Sequence, residues 1–176
     1  MKRSDMSEQQ EQKRGWIGRF LFPRLNTWFL IRVVVLAVGT WFVATHVVRP
    51  MAVDGQSMEP TYGEQGILLS LLTAYRSHPP ARGDVVTIRY GGTRFQLLKR
   101  VIAFEGETVE FWDGHCYING RLLDEPYVVK PCNWTVPPLT VAPGCIYAIG
   151  DNRSVPFEEH VGGEVALSRV AGRALW

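Results

Sequence analysis

The sequence has no marked excess of either charge: 19 Lys and Arg stand against 17 Asp and Glu, a net of +2 over 176 residues. That balance excludes a nucleic-acid binder built on phosphate neutralisation. Metal-ligating residues are sparse. The four histidines (46, 78, 115 and 160) are scattered, and there is no Cys-x-x-Cys and no His-Glu-x-x-His. Their spacing argues against a metal site. Neither GxGxxG nor GxxxxGK[ST] occurs, so no phosphate cradle and no cofactor is expected. Repeats, low-complexity tracts and a second globular domain are also missing. With 46% hydrophobic and 20% charged residues, the chain is neither disordered nor a polytopic membrane protein.

What is present is one long apolar run. Residues 28–48, WFLIRVVVLAVGTWFVATHVV, hold Arg32 as the only side chain with a full charge at neutral pH. As a helix the run spans about 32 Å, enough for a hydrocarbon core of roughly 30 Å. Arg32 lies near its start and can snorkel to the nearer headgroups. Lys2, Arg3, Lys13, Arg14, Arg19 and Arg24 precede the run, while Arg49 alone follows closely. This asymmetry predicts a single-pass protein of the cytoplasmic (inner) membrane, with its N-terminus inside and the bulk of the chain outside. A cleaved secretory leader fits less well, because the run exceeds an ordinary h-region and no A-x-A site follows. The expected organisation is a cytoplasmic segment 1–27, an anchor 28–48 and an extracytoplasmic domain 49–176. Residues 15–26, rich in aromatics and Arg, suit the cytoplasmic interface.

From residue 51 onward no helical periodicity is sustained. Short β-rich runs alternate with turn signals instead: residues 84–90, 93–104, 108–112, 115–118, 145–150 and 164–175. Gly91-Gly92, Asp113-Gly114 and Asn119-Gly120 mark turns, the last two being strong hairpin signals. The expected fold is mostly β, an antiparallel sheet or barrel-like domain behind one transmembrane helix. Three cysteines, 116, 132 and 145, fall in the exported part. An oxidising compartment permits one disulfide there. Cys132 and Cys145 flank a Pro-rich stretch that such a bridge would staple; three reduced buried thiols are the alternative.

Two residues suggest chemistry. Ser57, in VDGQSMEPTY, lies nine residues past the apolar run between Gly55 and Pro60. A tight turn there would hold a small hydroxyl in the open and offer a backbone N–H to an oxyanion. The bland reading is an ordinary loop serine. Lys99, in FQLLKRVI, shares a strand face with Phe95, Leu97 and Val101, while Arg100 shares the other with Leu98 and Ile102. Both faces are apolar, so one cation must occupy an apolar environment, which disfavours its charged form. Lowering a lysine from about 10.4 to about 7.5 costs roughly 4 kcal/mol. A lysine neutral near physiological pH can take a serine's proton without help from histidine. The plain alternative is a lysine snorkelling at a strand edge. No histidine lies in a context that commends it as a base.

With their flanks, these pieces resemble the type I signal peptidases, membrane-anchored serine proteases that remove signal peptides from exported proteins. Four stretches carry the likeness in order: Gly55-Gln56-Ser57-Met58-Glu59-Pro60-Thr61, Arg82-Gly83-Asp84-Val85-Val86, Lys99-Arg100-Val101-Ile102 and Gly150-Asp151-Asn152-Arg153. Val170-Ala171-Gly172-Arg173-Ala174 is similar to the family's closing strand. The resemblance implies Ser57 as nucleophile, Lys99 as general base and the Ser57 N–H as oxyanion donor. Gly55 stands where some members add a serine hydroxyl. It further implies a β catalytic domain with an apolar surface against the bilayer. Its partners would be the lipid and signal-peptide-bearing precursors, bound as an added strand with two small side chains in shallow pockets. Asp151, Arg153, Arg100 and Glu158 are the expected supporting residues.

The chain departs from the family after Arg153. Where many members carry a serine that orients the lysine stands Pro156, followed by Glu158, Glu159 and His160. Glu158 is expected to pair with Arg100, and Ser154 is the nearest remaining hydroxyl. The divergence keeps two further readings open: a specialised peptidase of the family acting on a pilin or conjugation substrate, and a non-catalytic, membrane-anchored peptide-binding β-domain. A repressor-type autoprotease also uses a Ser–Lys dyad, but a membrane span stands where its DNA-binding module would be.

Overall fold

The computed structural model describes residues 26–90 and 95–175. The basic stretch through Arg24, most of the interfacial segment and the Gly91-Gly92 turn lie outside them. The chain divides into two units, 1–43 and 44–176.

α1 begins after Asn26 and runs Thr27–His46, its last three residues belonging to the second unit. Asn26 caps it, its Oδ1 accepting the Phe29 N–H at 2.8 Å, as a helix start requires. The helix is 20 residues long with a mean hydropathy of 1.9 in its most apolar window, and none of its side chains is buried in the protein. It is long and apolar enough to cross a membrane. Helix ends at His46 and strand starts at Val48, two residues inside the expected anchor.

The second unit is β. A seven-stranded antiparallel sheet comprises β1 (Val48–Asp54), β2 (Gln65–Leu71), β3 (Val85–Tyr90), β4 (Phe95–Phe104), β9 (Cys145–Ile149), β10 (Gly163–Ala166) and β11 (Val170–Leu175), in the order β1-β2-β11-β3-β4-β9-β10. A four-stranded sheet holds β5 (Thr108–Trp112), β6 (His115–Ile118), β7 (Arg121–Leu122) and β8 (Val136–Thr140), in the order β7-β6-β5-β8. The two predicted hairpin turns are made: Asp113 and Asn119 take φ of 49° and 52°, with Gly114 and Gly120 at 79° and 73°. Such left-handed pairs match the twist of the flanking strands.

The predicted strand 164–175 is two. A 3-10 turn at Leu167–Arg169 separates β10, which pairs with β9, from β11, which lies between β2 and β3. One apolar cluster joins the sheets, with Phe111, Val109, Ile102, Ile149, Tyr147 and Trp134 all buried. The Pro-rich stretch is not a stapled loop. Trp134 plugs the core and β8 forms the edge of the smaller sheet, the location where proline is tolerated in a strand. All three cysteines are unpaired, correcting the expected Cys132–Cys145 bridge. Cys116 and Cys132 are packing residues of the core, and burial pushes the Cys116 thiol up to about 12.

Candidate active site

β4 carries the two adjacent cations through the middle of the large sheet. Lys99 lies opposite Val86 of β3, and its strand neighbour Val101 lies opposite Ala148 of β9. Val86, Val101 and Ala148 are fully buried, and Lys99 itself is only 3% exposed. Gly162 closes over the side chain: a Cβ there would sit 3.7 Å from Lys99 Cε and 3.0 Å from the Ala148 carbonyl oxygen. Burial lowers the Lys99 pKa from 10.5 to about 8, opposed in part by the charge of Asp151. Lys99 forms no ion pair among the described residues.

Arg100, on the opposite face, is fully provided for. Its Nε and one terminal nitrogen donate to the two oxygens of Asp151 at 2.8 and 2.6 Å, the other donates to the Gly83 carbonyl at 2.7 Å, and its plane lies 4.0 Å from the Tyr127 ring. Paired fork-to-carboxylate geometry of this kind is among the stronger polar contacts a protein makes. The Arg100–Glu158 pair expected from sequence is therefore not formed. Glu158 is exposed on a 3-10 turn, Phe157–Glu159, and Asp151 has the carboxylate role.

Ser57 follows β1 in a loop that turns on Gly55, whose φ is +120°. Open space surrounds Gly55, so the backbone conformation and not crowding calls for glycine. Met58 is buried and anchors the loop from below, leaving Ser57 half-buried. Three bonds tie the loop to the segment after β9. The Asn152 N–H donates to the Ser57 carbonyl at 3.0 Å, Asn152 Nδ2 to the Gln56 carbonyl at 3.0 Å, and Thr61 Oγ1 to Asp151 at 2.5 Å. Contact with Gly150 is so close that any Cβ there would overlap the Ser57 carbonyl oxygen. Asp151 thus links the Ser57 loop to β4: one carboxylate accepts from Thr61 and from Arg100, the residue after Lys99.

Arg153 acts from beneath. It is 2% exposed, donates through Nε to the Gly150 carbonyl at 2.8 Å, and forms an ion pair with Glu125 at 2.5 Å while facing Phe111. It braces the Gly150–Asn152 turn against the smaller sheet. Ser154 is not free to face Lys99, because its hydroxyl donates to Asn152 Oδ1 at 2.6 Å.

Sequence reasoning missed His160 and Glu125. His160 is buried, stacked edge-on against Trp134 at 4.7 Å between centroids, and its Nε2 bonds the Asn152 carbonyl at 2.9 Å. A carbonyl only accepts, so Nε2 carries the proton and Nδ1 is left as a buried acceptor without a partner. Burial first, then the Lys99 charge, push the His160 pKa down from 6.5 to about 4. A Cβ at Gly150 would lie 3.2 Å from its Cε1, which brings the imidazole to the same glycine that Ser57 touches. The sequence signal was faint: a lone histidine eight positions after Asn152.

A family model described as signal peptidase, peptidase S26, matches residues 25–176. The chain is similar to a probable signal peptidase I-1 of Synechocystis, 32% identical over 163 residues, 88% of this chain and 82% of that one. Signal peptidase I of Leptolyngbya laminosa is 31% identical over 150 residues, covering 81% and 72% of the two chains. Signal peptidase I of Bacillus caldolyticus is 28% identical over 179 residues, covering 93% and 90%.

Proposed function

The chain belongs to the signal peptidase family, peptidase S26, and on that premise we propose that Ser57 and Lys99 divide its peptide-bond hydrolysis between them. The protein is a serine-type peptidase that removes signal peptides. The neutral Lys99 amine takes the proton from Ser57 Oγ as Oγ attacks the scissile carbonyl carbon. Negative charge gathers on the carbonyl oxygen, where the Ser57 backbone N–H receives it beside the open Gly55 turn. The lysine then returns the proton to the departing amine, leaving an acyl-serine. Water then attacks the acyl carbon as it loses a proton to Lys99 Nζ, and the lysine passes that proton to Ser57 Oγ as the acid leaves, restoring the dyad.

One observation carries this reading: Lys99 is buried among Val86, Val101 and Ala148 without a carboxylate of its own, with a pKa near 8. A surface lysine, protonated two units or more above working pH, makes a poor base. Supporting it, Ser57 is pinned by its carbonyl to Asn152, in the segment that also holds Arg100 through Asp151.

The substrates are exported precursors bearing signal peptides. The membrane reading is a cytoplasmic N-terminus, one crossing by α1 and a catalytic unit on the outer face, supported by the basic residues before the helix. The test is cleavage of a signal-bearing precursor by the full chain in detergent micelles or vesicles. Ser57→Ala and Lys99→Ala should each reduce turnover by a factor of a thousand or more while the β unit keeps its circular dichroism. Parent-like processing by either variant removes that residue from the dyad.

A further inference from the structure

A second pocket, apart from Ser57 and Lys99, opens at one end of the large sheet. The strands there are antiparallel, and the start of β1, the end of β2, the start of β11, the end of β3 and the start of β4 lie side by side in sheet order. Arg49, Leu72, Ala171, Arg89 and Gln96 come from those five positions and line a cavity of about 380 Å³, joined by Arg76 from the loop after β2. Arg89 and Gln96 are cross-strand partners. Thr45 and His46, the last residues of α1, complete the wall.

Three features make this more than a solvated arginine face. Three arginines, Arg49, Arg76 and Arg89, line one concavity. Among the described residues its lining has no carboxylate, and Arg49, Arg76 and Arg89 make no ion pair. The pocket is also tied to the membrane helix by the chain itself. Arg49 is three residues beyond His46, so it lies within about 11 Å of the helix end whatever the angle between the units.

We propose that this pocket binds the phosphate ester of an anionic phospholipid headgroup in the leaflet where α1 ends. Arginine forks suit phosphate oxygens in pairs, and a site at the end of a membrane helix meets headgroups at high local concentration. Gln96 adds an amide side chain to the pocket wall. The proposal stands independently of the Ser57–Lys99 assignment, because it is read by binding and not by cleavage.

The test uses the full chain in neutral maltoside micelles, titrated with dioleoyl-phosphatidylglycerol, with phosphatidylcholine as the zwitterionic control and glycerol 3-phosphate as the soluble competitor. Lipid retained per chain is counted by native mass spectrometry. An arginine near an anionic lipid surface contributes about fivefold in affinity. The R49Q/R76Q/R89Q variant should therefore bind phosphatidylglycerol about a hundredfold more weakly than the parent, and R76Q alone about fivefold. R121Q, which removes one exposed arginine of the smaller sheet, should bind as the parent does. Basic residues near the N-terminus also attract anionic lipid, so the comparison is between variants. Displacement by millimolar glycerol 3-phosphate would identify a site for free phosphate esters; resistance to it would identify the lipid headgroup. Equal retention by R49Q/R76Q/R89Q and the parent overturns the proposal, as does a loss in R121Q equal to that in R76Q. Thermal unfolding verifies that each variant folds, and R76Q keeps the question answerable if the triple variant does not.

Discussion

Lys99 and Arg100 are neighbours on β4 with opposite electrostatic surroundings. Arg100 meets Asp151 with two hydrogen bonds, at 2.8 and 2.6 Å, while Lys99 on the other face is 3% exposed and has no carboxylate partner among the described residues. The strand's alternation produces the contrast, and one acid serves both ends of it. By committing itself to Arg100, Asp151 exerts on Lys99 only a partial pull toward the charged form, which burial outweighs. A carboxylate bonded to Lys99 itself would hold the ammonium and stop the base.

That contrast predicts a trade between activity and stability. The Lys99 pKa falls from 10.5 unfolded to about 8 folded, so between those values the unfolded chain binds more protons. The burial penalty is therefore fully present below about pH 8 and vanishes by about pH 10.5. At pH 7 it amounts to about 3 kcal/mol. Lys99→Met should abolish cleavage yet raise stability at pH 7 by up to that amount, the gain fading as pH climbs to 10.5. Denaturation of parent and variant across this range measures it. In the parent, turnover at limiting substrate should rise tenfold per unit below pH 8 and level above it.

The Asp151–Arg100 pair makes a separate prediction. Asp151→Asn leaves a largely buried guanidinium short of its counter-charge and weakens the bond that Thr61, in the Ser57 loop, donates to this side chain. Breaking such a pair typically costs about 3–5 kcal/mol. A somewhat smaller loss, about 2–4 kcal/mol, is expected here because Arg100 keeps its Gly83 and Tyr127 contacts. Glu158→Gln, on an exposed turn, should shift stability by no more than about 0.5 kcal/mol. Thermal melts of the two variants decide the matter, and the reverse ranking would return the carboxylate role to Glu158.

The elements that sequence revealed are those governed by local rules. The apolar run, the Asp113-Gly114 and Asn119-Gly120 hairpins, and the two-faced apolar strand around Lys99 each declare themselves within a dozen residues. What stayed hidden depends on partners. β1 and β8 contain Pro50 and Pro137-Pro138, which weaken a strand reading, and both lie at sheet edges where proline loses nothing. β2 leaves Ile67 81% exposed, so its pattern lacks the clean alternation of a half-buried strand. The run 164–175 reads as one strand because nothing in its hydrophobic order marks the turn at Leu167–Arg169. At the site, counting forward from Arg153 favoured Glu158 for Arg100, whereas the fold brings in Asp151, at the end of the strand hydrogen-bonded to β4. Glu125 and His160 come from segments placed by long-range contacts, Glu125 by its ion pair with Arg153 and His160 by its ring contact with Trp134 and its bond to the Asn152 carbonyl.

Gly150 tests how tightly Ser57 is held. Gly150→Ala inserts a methyl where the Ser57 carbonyl oxygen lies, and the atoms it overlaps are Ser57 backbone, not the far end of a flexible side chain. Ser57 must move, and a displacement of about 1 Å at a reacting group can reduce turnover about a hundredfold. A fall in kcat of ten- to a hundredfold, with KM less affected, is expected. Gly120→Ala in the smaller sheet, where only backbone strain is added, should leave kcat unchanged. Equal kcat values for Gly150→Ala and the parent would show that Ser57 is not pinned at this contact.

His160 makes the acid side of the pH dependence distinct from the lysine's. Burial and the Lys99 charge bring its pKa from 6.5 to about 4, so the unfolded chain binds more protons between those values. Stability should be undiminished above about pH 6.5 and fall by up to about 3 kcal/mol as pH drops toward 4. His160→Gln removes the titrating group but keeps an N–H that can reach the Asn152 carbonyl, so the slope should flatten while activity at pH 8 largely survives. His160→Phe also flattens the slope but loses the bond to Asn152, whose own N–H holds the Ser57 carbonyl. Its turnover should fall by tenfold or more at a pH where Lys99 is neutral. Urea titrations from pH 4 to 8, set beside kcat for both variants, separate the two effects: equal activity in His160→Gln and His160→Phe would mean that the bond to Asn152 does not position Ser57.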